Sequence, residues 1–188
     1  MPFVSFNIKL RRNFTMRVVL LAMLTILPSF CFAETISDGD FAKIKASTDK
    51  IVAATISLDF KTVVDHMPQN LIDMAGGKDK LIQMSAESFL KLESNGLKIS
   101  EFTYNMPKEK TVTSLNNIVL IPTKMVITSD AVTMKSNSYL IAFQAKGHDE
   151  WKFVDASGIK NRKSMEFLFP AYPKDKQIPQ ATNQFVEP

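Results

Sequence analysis

Residues 97–127 read LKISEFTYNMPKEKTVTSLNNIVLIPTKMVI, and within them the spacing of apolar side chains changes. Phe102, Tyr104 and Met106 alternate with Thr103 and Asn105, the two-residue period of a strand with one wet face. Ile118 to Ile127 is a second apolar run, and Pro122 inside it argues for an edge strand or a bulge, since proline cannot donate to a ladder. Beyond it, Ser129-Asp130 turns the chain and a third strand follows from Val132, with Tyr139, Ile141 and Phe143 on one face. Gly147-His148-Asp149 has turn composition, and Trp151, Phe153 and Asp155 alternate as a fourth short strand.

Upstream of residue 97 the period is helical. Phe41, Ile44, Thr48, Ile51, Val52 and Thr55 recur at spacings of three and four, which places them on one stripe of a helix capped by Asp38 or Asp40. A short second helix starts near Asp59 with Phe60, Val63, Val64 and Met67 as its apolar side, and Pro68 stops it. Gln69 to Ala75 is too short for a helix and reads as a small strand; Gly76-Gly77 then turns the chain. Asp79 opens a third helix with Leu81, Ile82, Phe89 and Leu92 facing inward, and Asn95-Gly96 supplies its left-handed cap. Three helices followed by an antiparallel meander of about four main strands predict an α+β fold, with the helices packed on one face of a curved sheet.

The amino terminus has the three parts of a secretory signal in order. Lys9, Arg11, Arg12 and Arg17 form a basic flank, residues 18–27 (VVLLAMLTIL) an apolar run, and Ala33 a cleavage site before Glu34. The run is shorter than the roughly 20 residues of a spanning helix, so no stable membrane anchor is expected after cleavage. Met16 is a second candidate start. Phe30 before Cys31 is too large for a lipoprotein signal. The expected division is a signal peptide over 1–33, one domain over 34–169 and a proline-containing extension over 170–188, which either wraps the surface or stays mobile. The expected location is the periplasm or the exterior.

Removing the leader changes the charge argument. The chain has 23 basic and 19 acidic residues, and four of the basic ones but none of the acidic ones precede Glu34. The remainder balances at 19 of each, without the basic surplus that electrostatic binding to phosphates requires, so nucleic acid is not expected as a partner. The one cysteine, Cys31, also falls in the leader, so neither disulfide nor thiol chemistry is expected. With only His66 and His148 and no other cysteine, neither a metal site nor a cofactor is expected. No phosphate-cradling loop, nucleophile elbow or dinucleotide fingerprint is present.

The opening helices, the segment Leu71-Ile72-Asp73-Met74-Ala75-Gly76-Gly77 and the closing Trp151-Lys152-Phe153-Val154-Asp155 resemble the NTF2-like (cystatin-like cone) superfamily over about residues 36–157. More narrowly, Leu168-Phe169-Pro170, Ile178-Pro179 and Phe185-Val186 resemble the tail of a set of exported bacterial proteins of that fold. The resemblance implies a cone whose interior can remain a pocket, lined here by Phe60, Val64, Met67, Phe102, Tyr104, Tyr139, Phe143 and Trp151. In the ketosteroid isomerases of the superfamily an Asp base works with a Tyr and a protonated Asp. Tyr104 or Tyr139 would be the donor and Asp59, Asp65 or Asp73 the base, although no Asp matches that motif residue by residue. Asp65-His66 is the tempting acid–base pair, but neighbours on a helix point about 100° apart. Lys160 to Lys163 is a short basic run that fits a solvated face better than a lipid-binding patch.

Fold does not give function, and three readings follow. The first is a non-enzymatic module binding a small apolar ligand or a protein partner. The second is an isomerase- or hydrolase-type enzyme using Asp, His or Tyr in the cone, with Asp65, His66, Tyr104 and Tyr139 as catalytic candidates. The third is an interaction protein that forms a homodimer sheet to sheet.

Overall fold

A computed structural model describes residues 33–159 and 161–186. Residues 1–32 of the expected leader, with Cys31 and both candidate starts, lie outside the described residues; its last residue, Ala33, opens the first strand.

Four helices precede most of the sheet. Helix α1 (Asp38–Ile56) is capped by Ser37, whose Oγ accepts from the Asp40 amide at 3.2 Å. Asp38 and Asp40 therefore sit in the first turn, where their charges complement the helix dipole, and not at the cap. Ile44, Thr48, Ile51 and Ala54 form its buried stripe. Helix α2 (Phe60–Asp65) is capped by Asp59, which accepts from both the Thr62 amide and the Thr62 hydroxyl. The segment expected as a small strand is helix α3 (Gln69–Met74), entered through Pro68. With only Leu71, Ile72 and Met74 as apolar markers, its period could not separate one helical turn from a short strand.

Helix α4 (Lys78–Ser94) differs from α1 in having no fully buried residue. It ends as its Asn95-Gly96 pair foretells. Gly96 takes φ 73°, its amide bonds to Glu93 O at 2.8 Å and the Leu97 amide to Leu92 O at 3.0 Å, a complete Schellman motif. The end of α1 makes the same two bonds, Leu58 to Thr55 O and Asp59 to Ala54 O, but with Leu58 at φ 58° in the position glycine usually fills.

The sheet is antiparallel and seven-stranded: β1 (Ala33–Thr35), β2 (Lys98–Tyr104), β3 (Glu109–Val112), β4 (Asn116–Thr128), β5 (Thr133–Ala145), β6 (Lys152–Asp155) and β7 (Thr182–Val186). Its spine is the β4–β5 hairpin, two 13-residue strands paired from Asn116–Ala145 to Thr128–Thr133. Both outer margins of this hairpin are shared. Strand β3 pairs with the beginning of β4 and β2 with its end, while β6 pairs with the end of β5 and β7 with its beginning. The expected four strands thus become seven, and the three opening helices become four, with a fifth helix, α5 (Arg162–Leu168), after β6.

The hairpin also corrects the reading of Pro122. It lies in a central strand opposite Tyr139, not on an edge. Its carbonyl accepts from the Asn105 amide at 3.0 Å, just past the end of β2. In an antiparallel strand a residue's N–H and C=O point to the same side, so the donor that Pro122 lacks would face the seam between β2 and β3. The β4–β5 ladder loses nothing.

Alternation along the hairpin makes two apolar layers. One side carries Val119, Ile121, Leu140 and Ala142, packed with Ile44 and Ile51 of α1 and with Trp151 and Phe153. The other carries Ile118 and Ile141, packed with Ile159, Met165, Phe169 and Tyr172. The chain after β6 thus covers the second face. Arg162 anchors it, donating to the carbonyls of Pro173, Lys174 and Lys176 at 2.6–3.1 Å. Its guanidinium carbon stands 5.7 Å from the Tyr172 ring centre, within cation–π range. The extension then returns as β7 along β5.

Candidate functional site

Between the helices and their side of the sheet the packing leaves a cavity of about 650 Å3, within the range of small-molecule sites. The roof comes from Ile51 and Thr55 of α1, from Phe60, Val63 and Met67 in and after α2, and from Ser85, Ser88 and Phe89 of α4. Phe60 and Phe89 meet with ring centres 5.1 Å apart and clasp α2 to α4. The half-burial of α4 has its cause here, because its inner stripe faces a space in place of side chains.

The floor is set by register. Across β2, β4 and β5, Phe102 opposes Met125 and Met125 opposes Ser136; one step along, Thr123 opposes Ser138; beyond that, Leu140 opposes Asp155 of β6. All of these residues line the cavity, and so does Phe153. The face that reads Val119, Ile121 on β4 and Ala142, Leu140 on β5 therefore changes to Thr123 and to Ser138, Ser136. Small hydroxyl side chains replace large apolar ones, and space results.

The hydroxyls differ in their partners. Thr55, Ser85 and Ser88 donate to the carbonyls four residues earlier at 2.8–2.9 Å. Ser157 donates to Asp155 through both its amide and its hydroxyl, at 2.9 and 2.7 Å. Ser138 Oγ is buried and has no hydrogen-bond partner among the described residues. Among the described residues Asp155 is the one lining residue that carries a formal charge, and it is exposed, with both carboxylate oxygens held by Ser157.

Of the expected lining, Phe60, Met67 and Phe102 are in place. Val64 and Trp151 are buried in the packed core beside the cavity. Tyr139 and Phe143 belong to the opposite face, against the carboxy-terminal segment, with Phe143 5.1 Å from the Phe169 ring. Their shared parity with Ile141 is as expected; the side that this parity faces is not. Tyr104 packs at the margin of the helix-side core, and its hydroxyl donates to Asp49, which also receives Lys45 at 2.7 Å. Burial and the Asp49 carboxylate push the Tyr104 hydroxyl up, while Lys45 and Tyr104 hold Asp49 down. This trio ties α1 to β2 outside the cavity.

The catalytic candidates are not gathered. Asp65 bonds Lys61 and Lys78 at the surface, which lowers its carboxyl to about 2. His66 turns elsewhere: its Nδ1 meets the Thr62 carbonyl at 2.8 Å, where it can act only as donor, and its ring lies edge-on to Phe153. Its backbone carbonyl accepts the Phe153 amide at 2.8 Å, fastening the end of α2 to the sheet margin. Asp59 is engaged at its cap and Asp73 by Gln69, both exposed. His148 is exposed in its turn. Of the basic run, Lys160 lies outside the described residues, and Arg162 is taken up in holding the carboxy-terminal segment. Among the described residues no three His, Cys, Asp or Glu side chains converge to hold a metal, and no helix is long and apolar enough to cross a membrane.

The residues that the sequence reading did not reach, Thr123, Met125, Ser136 and Ser138, had a signal of their own. It is the interruption of one strand face by hydroxyls at alternate positions.

Comparison with protein-family models, with curated proteins and with solved structures finds no match to this chain. The described residues define an α+β domain with five helices and an open, seven-stranded antiparallel sheet, hollow on the side facing α1, α2 and α4.

Proposed function

We propose that this protein is a non-enzymatic binding module of the NTF2-like cone type, exported from the cytoplasm, that holds one small and mostly apolar ligand between its helices and its sheet. The observation that carries the reading is the cavity of about 650 Å3, floored by Phe102, Met125 and Leu140 and roofed by Phe60 and Phe89. Apolar surface of this kind rewards an apolar guest by about 25 cal/mol for each Å2 removed from water.

An enzyme of the isomerase or hydrolase type would need at least two titratable groups within reach of one substrate. Among the described residues the lining holds Asp155 as its one titratable group, and both of its oxygens are occupied by Ser157. A homodimer formed sheet to sheet would need an uncovered apolar face, whereas Met165, Phe169 and Tyr172 already cover the second side of the β4–β5 hairpin. Both facts favour binding over catalysis or sheet pairing.

The test is titration with N-phenyl-1-naphthylamine, a neutral probe that brightens in apolar surroundings. The wild-type protein should bind it saturably at one site. Ser136→Phe, which fills the floor, should weaken binding more than tenfold while leaving the circular dichroism spectrum unchanged. Absence of binding, or binding indifferent to Ser136→Phe, contradicts the proposal.

A further inference from the structure

We infer that Phe89 of α4 is the end wall of the cavity and sets the length of its guest, an elongated molecule with an unbranched hydrocarbon chain. This rests on the binding reading above and adds what selects the guest.

Beyond the cavity lies a smaller groove of about 160 Å3, walled mostly by Ile56, Leu58, Leu92, Leu97, Ile99 and Ile127. The elements that line the cavity pass on into this groove. Helix α1 gives Ile51 and Thr55 to the cavity and Ile56 to the groove; α4 gives Ser85 and Ser88, then Leu92; β4 gives Thr123 and Met125, then Ile127. Strand β2, running the other way, places Phe102 opposite Met125 in the cavity and Ile99 opposite Ile127 in the groove. Met125 and Ile127 are two residues apart on one strand and so share a face. Cavity and groove are therefore successive cells of one space between helices and sheet.

Phe89 is the one residue, among the described residues, that borders both cells. It is half-buried, and the Phe60 ring 5.1 Å away steadies it. On the floor, Leu140 to Ser136 covers four residues of β5, about 13 Å, a run that suits an extended chain. Each methylene that enters the cavity leaves water and strengthens binding about fourfold. A methylene stopped at Phe89 stays hydrated and adds nothing. Affinity along a homologous series should therefore climb and then break where the chain meets the ring.

The test is displacement of N-phenyl-1-naphthylamine by the n-alkyl alcohols from hexanol to tetradecanol. It is run on wild type, Phe89→Ala, Phe89→Leu and Phe60→Ala, each referred to its own probe affinity. Wild type should gain about fourfold per carbon up to a break and nothing beyond it. Phe89→Ala joins the cavity to the groove and should move the break outward by roughly two carbons or more. Phe89→Leu, the milder change for folding, should move it by about one. Phe60→Ala loses the same ring contact but does not border the groove, so it should weaken the whole series and leave the break in place. A wild-type series that does not compete or shows no break, a break unmoved in both Phe89 variants, or one moved as far by Phe60→Ala overturns the inference while the binding reading stands. A wild-type protein that takes up no probe defeats both.

Discussion

Thr123 on β4 and Ser138 on β5 stand directly opposite each other in the antiparallel register, and both look onto the cavity. One step along the same face the opposed pair is Ile121 and Leu140, both buried in the core. The change from branched aliphatics to hydroxyls over two residues is where the sheet stops filling space and begins to enclose it.

That relationship has a consequence for stability. Removing a buried hydroxyl that has no partner abolishes its desolvation cost, so Ser138→Ala should be neutral or stabilising by up to about 1 kcal/mol. Urea denaturation of the unliganded protein measures it. A loss of more than about 1 kcal/mol would mean that the hydroxyl is satisfied in the folded protein.

Arg162 holds the carboxy-terminal segment through three backbone carbonyls and the Tyr172 ring. Arg162→Ala should cost about 2 kcal/mol, the scale of a few charge-assisted bonds discounted for partial exposure. Lysine should not rescue it, because a point charge cannot span several acceptors as the guanidinium fork does. Hydrogen exchange over residues 172–178 should quicken in the variant. Unchanged protection there would show that Phe169 and Tyr172 suffice to hold the segment.

Backbone geometry separates three substitutions. Gly77 has φ 104° and ψ 168°, a region that is essentially closed to other residues. Gly96, at φ 73°, is in the milder left-handed region. Gly77→Ala should therefore cost about 3 kcal/mol and Gly96→Ala about 1 kcal/mol. Leu58 is already in the left-handed region, so Leu58→Gly releases strain but removes a half-buried side chain and should change stability by less than about 1 kcal/mol. Thermal unfolding of the three variants gives the order, and equal losses at Gly77 and Gly96 would contradict it.

Asp65 supplies a pH dependence. Its carboxyl is lowered to about 2 in the folded protein, well below the usual aspartate range, by Lys78 and Lys61. A depressed carboxylate contributes stability that is present above its unfolded pKa and is lost as pH falls through the folded one. The window is thus from about pH 4 down to about 2. Because the side chain is 37% exposed, the contribution is under about 1 kcal/mol after screening. Asp65→Asn should flatten that part of the acid limb of the stability curve, and 1 M salt should do much the same. An acid limb identical in wild type and variant would show that these ion pairs do not stabilise the fold.

Much of the architecture is legible along the chain because long elements repeat their period. The stripe of α1, the cap at Asp59, the Gly96 terminus and the alternation on β2, β4 and β5 are all marked in residue types. Short elements are not: α3 has too few apolar positions to declare a period, and β3 (Glu109–Val112) presents two charged residues in four. The division of faces is harder still. Alternation groups Tyr139 with Ile141 and Phe143, but which side of the sheet they meet depends on Phe169 and Tyr172 returning from more than 25 residues away. A one-residue change of parity moves a whole set of side chains across the sheet. For the same reason aromatic residues made poor markers of the cavity, where serine and threonine on the opposite parity mark it better.

The most direct measurement is a methyl-resolved NMR titration with N-phenyl-1-naphthylamine. Met67 and Met125 line the cavity from roof and floor, whereas Met165 is buried on the far side of the sheet. Saturable shifts at Met67 and Met125 with Met165 unmoved are the predicted result. Shifts centred on Met165, or saturable binding that leaves Met67 and Met125 in place, would contradict a guest held between the helices and the sheet.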